Sequence, residues 1–194
     1  MQIQVQINEE GALRNQRYAF TDRFTLVSEL LQNARRAGAM RIEIHYDATA
    51  QVLRVEDDGR GLDDFQKLLS FHESGWDAAT STEERPFGVG FSKCLYAATR
   101  CIASNRQRVD IDTAAALAKA SIEVEPITEA VAGTRIELHG VDLPDLGNRI
   151  ESLCLGFPVD VLFNGTPLTR RFAAANLATM ASPMGTVHLT GTRD

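Results

Sequence analysis

Positive charge is in short supply in this chain: 20 Lys and Arg stand against 26 Asp and Glu, a formal net charge of −6. That balance removes any whole-chain electrostatic case for binding nucleic acid. Cysteine is scarce too. Cys94, Cys101 and Cys154 are odd in number and lack metal-ligand spacing, so they read as reduced thiols of a cytosolic protein, two of them buried. The N-terminus has no apolar stretch of signal-peptide type, and no segment approaches membrane-spanning length. A soluble, cytoplasmic protein is expected. No internal repeat is present. There is no Gly-x-x-x-x-Gly-Lys-Ser/Thr stretch and no Gly-x-Gly-x-x-Gly after the first strand, which excludes a Walker P-loop and disfavours a doubly wound dinucleotide sheet.

What is present suits a globular domain. The chain has 194 residues, 44% of them hydrophobic and 24% charged, enough to build a core unaided. Gln2 to Ile7 alternates as a half-buried strand. Phe24, Val27, Leu31 and Ala34 repeat at helical spacing, with Thr21 or Asp22 as the cap and Gly38 as the stop. Two alternating stretches, Arg41 to Tyr46 and Gln51 to Glu56, flank a turn and predict a hairpin. A short helix is expected over Asp63 to Ser70, and a second amphipathic one carries Phe91, Cys94, Leu95 and Ala98. Further strands are expected at Cys101–Ser104, Val109–Asp112, Ser121–Ile127 and Thr134–His139. The three arginines of Arg100 to Arg108 read as a solvated strand edge. A helix over about Pro144 to Cys154 precedes a hairpin, Val159 to Leu168, turning at Asn164-Gly165. One more strand is expected at Thr186–Leu189. Short links between strands predict an α/β fold in two layers, a mixed and mostly antiparallel sheet with helices on one face.

Four short stretches carry chemistry. Glu29 and Asn33, four apart, project from one side of a helix, where a carboxylate can take a proton from water and a carboxamide can offer oxygen to Mg²⁺. A polar helix face without a ligand has the same pattern. Asp57 closes a strand ahead of Gly59 and Gly61; it can accept from an adenine amine while the glycines admit the base and Leu62 packs on the ring. A tight Asp-Gly turn also explains it. Gly88-Val89-Gly90, just before Phe91 and a helix, can aim N–H groups at phosphates. Lys93 can add charge there, although a surface lysine is the simpler reading. Thr134, following Gly133 into a strand, can bond the adenine edge or be an ordinary strand residue.

In combination and in this order, the four resemble the GHKL superfamily of Bergerat-fold ATPases, which includes gyrase B subunits, ninety-kilodalton heat-shock chaperones, sensor histidine kinases and MutL proteins. Glu29 through Asn33, continuing to Ala39, looks like the N-box in its MutL form. Asp57-x-Gly59-x-Gly61 looks like the first glycine box, Phe87 to Phe91 like the chaperone version of the second, and Gly133-Thr134 like the closing motif.

The resemblance implies roles. Glu29 is the general base, Asn33 the Mg²⁺ ligand and Asp57 the adenine reader, with Gly59, Gly61, Leu62 and Thr134 shaping the base pocket. Residues 72–87 form a lid, and Gly88, Val89, Gly90 and Phe91 make the phosphate loop. Histidine kinases of the superfamily generally lack the N-box glutamate, so Glu29 favours hydrolysis over phosphoryl transfer. Two departures stand out. Arg36 replaces a usual acidic residue, and hydrolytic members take a γ-phosphate cation from a following domain; if these 194 residues are the whole protein, Lys93, Arg85 of the lid or a partner supplies it, or none does.

The expectation is therefore an ATP-binding domain over residues 1–170, with 171–194 as an extension. It would use ATP and Mg²⁺, hydrolyse slowly, and act as a conformational switch towards a protein partner or an ATP-dependent homodimer. No nucleic acid or membrane is expected as a partner. The alternative is an interaction module gated by ATP or ADP without turnover.

Overall fold

The computed structural model describes residues 4, 6–20, 22–71 and 90–190. In chain order the helices are α1 (Glu9–Gln16), α2 (Thr25–Arg36), α3 (Gln66–Leu69), α4 (Ser92–Ala97), α5 (Thr113–Leu117) and α6 (Leu146–Cys154). The strands are β1 (Arg41–Asp47), β2 (Val52–Asp57), β3 (Arg100–Ser104), β4 (Gln107–Asp112), β5 (Val124–Pro126), β6 (Arg135–His139), β7 (Asp160–Phe163), β8 (Thr166–Pro167), β9 (Ala178–Ser182) and β10 (Gly185–Leu189).

Eight strands form one sheet in the order β5-β4-β3-β6-β2-β1-β7-β8. Every pairing is antiparallel except β1 with β7. Register puts the apolar residues on one face: Ile44 opposite Val55, Val55 opposite Ile136, Cys101 opposite both Leu138 and Ile111. Because side chains alternate along a strand, fixing these pairs turns all their buried neighbours the same way. Against that face lie Leu26, Val27, Leu30, Leu31 and Ala34 of α2, Cys94 and Leu95 of α4, and Leu146, Ile150 and Cys154 of α6. This is the expected two-layer α/β sandwich.

Local chemistry explains the boundaries that matter for the site. Asp22 starts the turn into α2: its Oδ1 accepts from Phe24 N–H at 3.0 Å and its carbonyl from Thr25 N–H at 3.1 Å. The same carboxylate pairs through Oδ2 with Arg149 of α6 at 2.6 Å. Thr21 lies outside the described residues. At the other end Gly38, at φ +76°, closes α2 with Gly38 N–H on the Arg35 carbonyl and Ala39 N–H on that of Ala34. The β1–β2 turn is held by Asp47, whose Oδ1 accepts from Thr49 and Ala50 N–H, both at 2.9 Å. Asn164 and Gly165, both at positive φ, turn β7 into β8 as expected.

Several expectations need correction. Residues 4, 6 and 7 of the proposed first strand are not strand, and Ile7 is 79% exposed. Alternation predicts a face, but a ladder also needs a neighbour, and these residues join none. The chain instead enters α1, started by Asn8 Oδ1 accepting from Gly11 N–H; α1 buries no residue, so it left no apolar stripe to read. Short α5 and strand β9, partner of β10, were likewise not anticipated. Arg100 and Arg108 are not on a sheet edge: β3 and β4 are interior, and both arginines pair with Asp110. All three cysteines are buried, not two. Among the described residues, no helix is long and apolar enough to cross a membrane.

Candidate functional site

The residues expected around a base come together at the end of β2. Asp57 N–H donates to the Thr134 carbonyl at 3.0 Å, and Asp57 Oδ1 accepts from Gly59 N–H at 2.9 Å. Gly133 crosses so closely that a Cβ there would stand 2.3 Å from the Asp57 carbonyl oxygen and 2.6 Å from its Oδ1. Gly61, at φ +79°, passes Asn105 so closely that a Cβ would meet Nδ2 at 2.4 Å. Burial pushes the Asp57 carboxyl above its ordinary value, opposed by the backbone donors of Gly59 and Thr134 and assisted by Asp58 and Glu56. Leu62 packs against the core edge. Asp57, Gly59, Gly61, Leu62 and Thr134 therefore share one cluster, with Thr134 entering it through its backbone, the carbonyl on Asp57 N–H and the N–H towards the Asp57 carboxylate.

Two neighbours of this cluster were missed or merged in the sequence. Asn105, 7% exposed, donates from Nδ2 to the Leu62 carbonyl at 2.8 Å, while its own carbonyl accepts from Val131 N–H. It thus joins the Gly61-Leu62 turn to the Gly133-Thr134 crossing. In sequence it reads only as a turn residue after β3. Asp58 is the second: its Oδ1 accepts from Met40 and Arg41 N–H, so it fastens the start of β1 and serves the fold.

Helix α2 carries the other part. Its C-terminus reaches the first cluster, since the Ala37 carbonyl accepts from Arg60 N–H at 2.9 Å. Glu29 lies eight residues back, about 12 Å along the axis at the usual helical rise, with Asn33 midway. Glu29 Oε1 is 2.8 Å from Lys93 Nζ of α4, and a Cβ on Gly90 would stand 2.8 Å from Glu29 Oε2. Lys93 is only 16% exposed, against 30% for Glu29, so it is not the surface lysine expected. Its ammonium lies 5.8 Å from the Phe20 ring centroid. Asn33 Oδ1 accepts from Arg36 Nη1 across a long 3.4 Å. Phe91 buries its ring in the core at the start of α4, and its carbonyl accepts from Cys94 N–H. Gly88, Val89, Arg85 and the expected lid over 72–87 lie outside the described residues.

Glu29, Gly90 and Lys93 thus make a second cluster, and Asn33 stands on α2 between the two. Beside Lys93 a cavity of about 380 Å³ opens between residues 17–26 and α4, with Arg17, Phe20, Arg23 and Tyr96 among its walls. Among the described residues, no group of three or more His, Cys, Asp or Glu could hold a metal.

Comparison with known proteins adds a family. A profile described as Histidine kinase-, DNA gyrase B-, and HSP90-like ATPase matches residues 21–140, more than half of the chain. The DNA mismatch repair protein MutL of Chromohalobacter salexigens is 40% identical over 70 residues, which cover 34% of this chain and 11% of that protein. The chain therefore spans only a small part of this relative.

Proposed function

The chain belongs to the histidine kinase-, DNA gyrase B- and HSP90-like ATPases, and from that premise we propose that it binds ATP with Mg²⁺, hydrolyses it slowly, and uses the nucleotide as a conformational switch. The observation that carries this reading is the cluster at Asp57. A half-buried carboxylate at the end of β2 is held between two glycine crossings that admit no Cβ, a polar acceptor where the backbone comes closest. An adenine amine donating to Asp57 is the natural occupant, with Gly59, Gly61, Leu62 and Thr134 around the ring.

From there the nucleotide runs along α2 towards Gly90. Glu29 takes a proton from water as the water oxygen bonds to the terminal phosphorus and the bond to the bridging oxygen breaks, leaving ADP and phosphate. Gly88, Val89, Gly90 and Phe91 offer backbone donors to the phosphates. Asn33 is the one protein ligand for Mg²⁺, an ion that prefers oxygen and keeps several waters, and the long bond from Arg36 is readily exchanged for it. When bound, Mg²⁺ neutralises phosphate charge.

The binding domain occupies residues 1–170; the separate β9–β10 sheet belongs to the extension over 171–194. A protein partner or an ATP-dependent homodimer reads the switch. One observation favours the second reading, a module that binds without turnover: the proposed base is already neutralised by Lys93. Steady-state hydrolysis with Mg²⁺, alongside calorimetric affinity, separates the two. Slow turnover that vanishes in Glu29→Ala while ATP binding persists supports the switch; binding with no turnover supports the module; no binding of ATP or ADP overturns both.

A further inference from the structure

We infer that Lys93 is an exchangeable counter-ion, which holds Glu29 in an ion pair and passes to the terminal phosphate when ATP is bound, releasing Glu29 as a base. The inference rests on the ATP-binding reading above and concerns how that site is controlled.

The starting point is a conflict within the second cluster. Glu29 Oε1 and Lys93 Nζ are 2.8 Å apart and both side chains are largely covered. A carboxylate that takes a proton there leaves a covered ammonium without its counter-charge, which is costly in a poorly solvated site. Glu29 can therefore work as a base only if Lys93 has another anion to go to. The surroundings narrow what that anion is. Towards the cavity Lys93 meets the Phe20 ring, which itself lies tilted against Tyr96 at 5.7 Å between centroids. The same cavity is bordered by Arg17 and Arg23, like charges that oppose a retreat in that direction. Among the described residues that line it, the one carboxylate, Asp22, is held by Arg149. None of these walls offers a replacement for Glu29.

On the other side is Gly90. Its backbone lies against Glu29 Oε2, and its carbonyl accepts from Lys93 N–H at 3.4 Å, so Gly90, Glu29 and the root of Lys93 are adjacent. A terminal phosphate placed by the Gly90 backbone is within the sweep of a flexible four-carbon stem. It carries more negative charge than the carboxylate and more acceptor oxygens. The diphosphate product lacks that group, so exchange distinguishes ATP from ADP.

The test is a calorimetric cycle with ATP and ADP, Mg²⁺ present, on the full chain and on Glu29→Gln, Lys93→Met and the double variant. Lys93→Met is expected to weaken ATP roughly tenfold while ADP changes little. Glu29→Gln, which removes the competing carboxylate, is expected to tighten ATP by a similar factor, and that gain should vanish in the double variant. A gain that persists beside Lys93→Met is a general charge effect and overturns the inference. So does an equal change of ATP and ADP affinity in Lys93→Met. Should that variant not fold, Glu29→Gln decides alone: unchanged ATP affinity overturns the exchange. Failure of the parent reading looks different, since the unmodified chain would then bind neither nucleotide.

Discussion

Among the described carboxyls whose value is shifted, Asp57 alone is raised; Glu9, Asp22, Glu43, Asp63 and Asp110 are all lowered by cationic partners. Burial raises the Asp57 carboxyl above the usual value, so the fold favours its protonated form. A carboxyl raised in this way adds stability below its unfolded value and loses it as pH rises through the folded one. At neutral pH the ionised group therefore works against folding, held for what it can accept. Asp57→Asn keeps an oxygen for Gly59 N–H and removes the half-buried charge. It is expected to melt higher than the parent at pH 7, with the difference shrinking as pH falls through the raised value, and to lose adenine nucleotide binding. Thermal melts at two pH values and calorimetry check both halves; undiminished affinity would remove Asp57 as the adenine reader. Gly133 gives a steric counterpart. A Cβ 2.3 Å from a carbonyl oxygen has no side chain to push aside, so Gly133→Ala should destabilise by about 1–3 kcal/mol or more in urea unfolding.

At the scale of elements, legibility in the sequence depends on what produces each signal. Helices α2 and α6 and strands β1, β2, β3, β4 and β6 bury one regular face, and a buried face writes its period into the residues. Helix α1 buries nothing and wrote none. The residues grouped at Asp57 were legible because glycines beside a carboxylate mark a close crossing. Asn105 was not, because a buried amide bridging two turns looks in sequence like any turn asparagine. The Lys93 pairing was misread for a related reason: its partner is 64 residues away, and exposure cannot be read from spacing. Asn105 carries its own prediction. Asn105→Ala leaves the Leu62 carbonyl without its 2.8 Å donor and is expected to cost about 1–3 kcal/mol of stability. Nucleotide affinity should fall with it, because the freed turn borders the proposed base pocket; urea unfolding and ADP calorimetry read the two effects. Stability lost with ADP affinity intact would separate Asn105 from the pocket.

Across the whole molecule the cysteines offer a probe of how far the core acts as one body. Cys94 sits on α4, Cys101 on β3 and Cys154 on α6, all within the same cluster of buried residues. Burial pushes Cys94 up to about 12 and Cys154 up to about 11, with Cys101 also well raised. Reaction needs the thiolate and access, so none of the three should label in the native state with a thiol reagent at neutral pH. In a single cooperative transition all three become reactive at one denaturant concentration, coincident with loss of helical signal. Residue-resolved labelling by mass spectrometry tests this. Should Cys154 label first, α6 and the β7 edge would form a weaker unit, and α2, whose start is tied to α6 by the half-exposed Asp22–Arg149 pair and by the Arg149 guanidinium over the Phe24 ring, would lose support there. ATP should raise the midpoint for all three together if its contacts span β2, α2 and Gly90 as proposed, because a ligand bound across a cooperative unit stabilises the whole of it. Protection confined to Cys94 would instead place the nucleotide's grip on α4 alone.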